Sequence, residues 1–179
     1  MFKITCFLQV PYKQLCKLLK GMHFKDMKGE LVWEVDDHQF KICPFSNQGE
    51  YSHNHGYRIF FSGSIDGAIF LFDMALGPLK PDVKGIEYET SLGERSQREW
   101  IVELIKTDTI QTIDTRGIFK CGSVGIIVIP TTMNFQMRSP HNKKLKLIEC
   151  LKEIERIRND IFPKQFDLFS ILEEKENAI

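Results

Sequence analysis

The chain carries no excess charge of either sign: 24 basic side chains meet 24 acidic ones. A domain built to hold nucleic acid usually has a clear basic surplus, so the balance argues against one. Paired cysteines are lacking too. Cys6, Cys16, Cys43, Cys121 and Cys150 are odd in number and widely spaced, with no Cys-x-x-Cys. That pattern argues against a disulfide framework or a zinc ribbon, and reduced thiols point to the cytoplasm. No apolar run approaches the ~18 residues that a membrane-crossing helix needs. The opening MFKITCFLQVPYK lacks the charged-then-apolar order of a secretory signal.

Familiar catalytic fingerprints are missing as well. There is no phosphate loop of the Gly-x-x-x-x-Gly-Lys type, no Gly-x-Gly-x-x-Gly, no Gly-x-Ser-x-Gly elbow and no His-Glu-x-x-His. Internal repeats are not visible, and no tract is of low complexity.

What is present reads as one domain over residues 1–179, with 42% apolar and 27% charged residues. Residues 2–10 alternate, with Phe2, Ile4, Cys6, Leu8 and Val10 on one side, as in a half-buried strand. Pro11 suits a helix start. Tyr12, Leu15, Cys16 and Leu19 then form an apolar stripe that stops near Gly21. Residues 31–43 predict a hairpin about Asp36-Asp37, with Leu31, Trp33 and Val35 facing Ile42, Phe40 and His38. Cys43-Pro44 closes that strand.

The organising element is expected at residues 57–76. Asp66-Gly67 is a strong two-residue turn signal, because Gly accepts the positive φ such a turn demands. Folding about it pairs Phe61 with Phe72 and makes Arg58 and Asp73 neighbours able to form an ion pair. This completes a β-rich half, 1–76. Residues 77–93 have no clear period and read as a long surface loop, with a possible short edge strand at 85–90.

The rest, 94–172, mixes helix and strand. Ser96-Gln-Arg-Glu99 is a capping box that opens a middle helix. Residues 118–121 and 124–129 read as strands joined at Gly122-Ser123, and 130–142 as a second irregular loop. A helix over 143–161 buries Leu147, Cys150, Leu151, Ile154, Ile157 and Ile161. A short amphipathic segment follows Pro163, and residues 173–179 fray. The predicted class is α+β: a mostly antiparallel sheet of hairpins carrying an N-terminal helix, a middle helix and a C-terminal helical segment.

Two functional readings emerge. In the first, the chain is a non-catalytic cytoplasmic interaction protein of inhibitor, immunity or adaptor type, without a cofactor. It binds another protein through residues 77–93 and 130–146. The binding residues are then Arg138, His141, Lys143, Lys144 and Lys146, with three lysines in the first turn of a helix beside its unpaired amides. Such an end suits a phosphate or an acidic surface. In the alternative, a divalent metal held by His53 and His55, with Cys43, Glu50 or Asp73 as further ligands, hydrolyses a phosphate ester or nucleic acid. Histidines two apart on extended chain point the same way, which is one means of bringing two imidazoles to a metal. In that reading His53, His55 and Asp73 are the catalytic candidates.

Overall fold

The computed structural model describes residues 1–35, 38–45, 54–91, 111–114, 118–129, 131–139 and 145–161. Ten strands form one antiparallel sheet. They are β1 (Phe2–Leu8), β2 (Lys25–Met27), β3 (Glu30–Val35), β4 (His38–Phe45), β5 (His55–Ser62), β6 (Asp82–Ser91), β7 (Gln111–Asp114), β8 (Ile118–Cys121), β9 (Val124–Ile129) and β10 (Thr132–Arg138). The described helices are α1 (Tyr12–Leu19), α2 (Ile65–Leu76) and α3 (Leu147–Ile161). The class is α+β, as the sequence predicts.

The strand order is β2-β3-β4-β5-β1-β6-β10-β9-β8-β7. Read outward from the central β1–β6 pair, its two halves match. Each has a first strand, a last strand returning beside it, then a meander out to the edge. In each, the returning strand feeds a helix: α2 after β5 and α3 after β10. Only a half-turn about the sheet normal exchanges two antiparallel central strands, so the halves are topologically a duplication about that axis. No sequence repeat betrays it, because a buried sheet face needs apolar alternation rather than particular residues.

One face of the sheet holds the core. Ile4, Cys6, Tyr57, Ile59, Phe61, Ile86, Phe119, Ile126 and Phe135 are buried with Leu15 and Leu19 of α1, Leu71, Phe72 and Leu76 of α2, and Leu151, Ile154 and Ile157 of α3. All three helices therefore lie on the same side. Tyr57 is anchored there by donating its hydroxyl to the Val10 carbonyl at 2.6 Å.

The hairpin expected at residues 57–76 does not form. β5 ends at Ser62 and α2 starts three residues later. Gly63 has φ +143°, and a Cβ there would sit 2.5 Å from His38 and 2.7 Å from the Phe61 ring. The chain thus breaks at a position that only glycine fills. Ser64 is extended and its Oγ accepts from the Gly67 N–H at 3.1 Å, which is an N-cap. Asp66 falls in the first turn, where the helix dipole favours negative charge. The turn signal loses to a cap followed by helix formers, and Ala68, Leu71, Phe72, Ala75 and Leu76 bury at helical spacing. Arg58 and Asp73 do not meet: Arg58 lies over the Phe45 ring, 5.0 Å from its centroid, on the face opposite the helices.

The β3–β4 register is as expected, with Leu31 opposite Ile42, Trp33 opposite Phe40 and Val35 opposite His38. Pro44 does not close the strand. β4 runs to Phe45, and Pro44 pairs with Tyr57 beyond the end of its β3 partner, where no ladder donor is needed. Gly21 does not stop the first helix; a 3-10 turn over Lys20–Met22 follows α1, and His23 closes it with φ 63°.

Both expected loops are corrected. Residues 82–91 are β6, a central strand between β1 and β10. Its period is obscured by a bulge: Thr5 pairs with Gly85 but Cys6 with Val83, leaving Lys84 as the extra residue. Residues 132–138 are β10, which buries Met133 and Phe135 and turns Thr132, Asn134 and Gln136 the other way. The middle helix expected from residue 96 and the segment after Pro163 lie outside the described residues.

Candidate functional site

The metal-site candidates do not converge. His53 and Glu50 lie outside the described residues, and His55 is the exposed first residue of β5. Asp73 rides the solvent side of α2, on the helical side of the sheet. Cys43 alternates with buried Ile42 and so faces the opposite side. The sheet separates the two. Cys43 is also engaged: its thiol donates to Glu30 Oε1 at 3.4 Å. Burial first, and then the Glu30 carboxylate, push it up to about 11. A metal ligand must be a thiolate, and this environment favours the protonated form. Among the described residues no group of three or more His, Cys, Asp or Glu side chains is placed to hold a metal ion.

The basic cluster changes shape as well. His141, Lys143 and Lys144 lie outside the described residues. α3 begins at Leu147, so its first turn does not hold three lysines. Lys146 stands just ahead of it: its carbonyl accepts from the Cys150 N–H at 3.0 Å, and its ammonium pairs with Glu149 at 2.8 Å. Arg138 ends β10, exposed, and donates to Gln136 at 3.4 Å. Strands β6 and β10 occupy residues 82–91 and 132–138 of the expected binding loops.

Concavities among the described residues include two with side chains of both signs. A pocket of about 130 Å³ opens between the start of α2 and α3, lined by Phe2, Ser64, Ile65, Tyr88, Ile154 and Arg158 among others. Arg158 is taken up there, donating to the Tyr88 hydroxyl at 3.1 Å above its ring. A shallow concavity of about 700 Å³ lies over β2, β3 and β4, where Glu30 pairs with Lys41 at 2.6 Å and Gln39 donates to Glu34. Arg158 in the first, and Glu30, Lys41, Glu34 and Gln39 in the second, are thus engaged within the fold.

The feature that sequence reasoning missed is on α2. Its buried residues occupy one side, and the opposite side carries Asp66, Phe70, Asp73 and Met74. Phe70 is 65% exposed, the most exposed large apolar side chain among the described residues, and Met74, one turn on, is 37% exposed. At about 100° per residue, Phe70 and Met74 form a ridge with the two aspartates along one edge. The signal was available in the sequence. Once residues 68, 71, 72, 75 and 76 are read as a helical stripe, 70 and 74 are left outside it.

Comparison with known proteins finds no family model that matches the chain and no curated protein similar to it in sequence. The described helices include none long and apolar enough to cross a membrane.

Proposed function

We propose that the chain is a non-catalytic interaction protein of the cytoplasm, of inhibitor, immunity or adaptor type, that binds another protein through α2. The observation that supports this is the contrast between α2 and α3. Both follow the returning strand of their half and bury an apolar stripe against the same core. The outer side of α3 is charged: Arg156 pairs with Glu153 at 3.0 Å and with Asp160 at 2.8 Å, and Ile148 is its one exposed large apolar residue. The architecture therefore does not require Phe70 and Met74 to face water on α2. Isolated exposed apolar residues are ordinary. Two on adjacent turns, on a helix apolar almost all round, support the reading that a partner covers this surface. Covering the exposed part of Phe70 contributes on the order of 1–2 kcal/mol to a complex.

The test is affinity capture from the source cell with three immobilised proteins: wild type, Phe70→Asp/Met74→Asp, and Ile148→Asp as the control on α3. A protein retained by wild type and by the control but lost by the α2 variant, at unchanged melting temperature, is the expected result. Equal retention by all three overturns the assignment of α2.

A further inference from the structure

We infer that the partner of α2 is a protein segment presenting an amphipathic helix whose apolar stripe is edged by lysine or arginine; this rests on the reading of α2 as the contact element. Asp66 and Asp73 are seven residues apart, so they lie on nearly the same line along the helix, ~10 Å from each other at 1.5 Å rise per residue. That line borders the Phe70–Met74 ridge. Both aspartates are exposed.

Elsewhere several described carboxylates pair with a cation. Glu30 pairs with Lys41, Glu87 with Lys3, Asp82 with Lys84, Glu149 with Lys146, and Glu153 and Asp160 with Arg156. None of these pairs reaches Asp66 or Asp73, and α2 contains no basic residue at all. Asp66 also serves the helix N-terminus, but Asp73, in the third turn, has no such role. Two carboxylates edging an apolar ridge select a complementary surface with cations two helical turns apart. They also select against antiparallel pairing of α2 with a second copy of this chain. Laid antiparallel on itself, α2 would bring four carboxylates together with no cation from either helix, and like charges set against each other disfavour that pairing.

The probes are two synthetic amphipathic helices of the same length and apolar stripe, one with lysine and the other with glutamate on its polar side. Binding of each is measured by titration calorimetry at low and high salt. Wild type is expected to bind the lysine peptide about tenfold or more tightly than the glutamate peptide, with the preference shrinking in salt as exposed charges are screened. Asp66→Asn/Asp73→Asn should keep binding and lose the preference. Phe70→Ser/Met74→Ser should bind neither peptide. If wild type binds both peptides equally, or neither, or if the asparagine variant keeps the preference, the basic partner is wrong while the capture experiment still decides α2. If the Phe70/Met74 variant binds like wild type, α2 is not the contact and both readings fall. Sedimentation of the free protein closes the remaining route: a dimer abolished by Phe70→Ser makes a second copy the occupant and overturns the inference.

Discussion

The helices α2 and α3 hold equivalent places in the two halves of the sheet and meet solvent in opposite ways. Each turns a stripe of five or four buried residues inward: Ala68, Leu71, Phe72, Ala75 and Leu76 in α2, and Cys150, Leu151, Ile154 and Ile157 in α3. Outward, α3 presents ion pairs and α2 presents a phenylalanine and a methionine. The fold dictates the inner side, since apolar surface must leave water there. It leaves the outer side open, and that freedom is where a difference in function can be written.

The comparison breaks first if the inner sides are not equivalent. Leu76 and Leu151 are both 0% exposed. Leu76→Ala and Leu151→Ala should each lower the unfolding free energy by about 2–5 kcal/mol, through lost burial and a residual cavity. Denaturant unfolding checks this, and a near-neutral value for either would show that one helix is not part of the shared core.

A smaller effect separates the two helix starts. Ser64 caps α2 by accepting from Gly67. Ser64→Ala should therefore cost about 0.5–2 kcal/mol, while Ser64→Asp, which keeps an acceptor, should cost much less. Equal losses would mean that the cap is not what converts the Asp66-Gly67 turn signal into a helix.

That conversion shows how far the fold could be read from sequence. Single-face alternation made β1 and the β3–β4 register legible down to the pairing of Trp33 with Phe40. The 3.6-residue period did the same for α1 and α3. It failed at residues 64–76, where a cap and a turn dipeptide overlap in four residues and local turn chemistry outweighed the longer helical period. It failed at β6 because the bulged Lys84 shifts the alternation by one. No local pattern places the sheet between the metal candidates Cys43 and Asp73. Strand pairings that join β1 to β5 and β6 are contacts far apart in the chain, which no local pattern encodes.

On the outer sides the expected effects are slight for stability. Arg156→Ala removes two exposed i,i+3 and i,i+4 pairs and should leave the melting temperature almost unchanged, because exposed ion pairs contribute little. Phe70→Ser should change stability by no more than about 0.5 kcal/mol. A large loss at Phe70 would mean that it supports the fold, and the contrast between the helices would dissolve.

The smallest effect is in pH. Burial, followed by the charge of Glu149, raises the Cys150 thiol above its usual 9.0. Above pH 9 the unfolded thiol ionises while the folded one stays protonated, so the folded state binds more protons and stability falls as pH rises. Cys6 and Tyr57, each pushed to about 12 mainly by burial, act in the same direction. Cys150→Ala should flatten part of the fall that begins near pH 9, as read from melting temperature against pH. α2 contains neither cysteine nor tyrosine, so Met74→Ala should leave the slope unchanged.

Amide hydrogen exchange along α2 and α3, with and without the lysine-edged amphipathic peptide, tests the central claim most directly. The account predicts that the peptide slows exchange in residues 65–76 and leaves 147–161 at their free rates. Slowing in α3 alone, or equally in both helices, would contradict it.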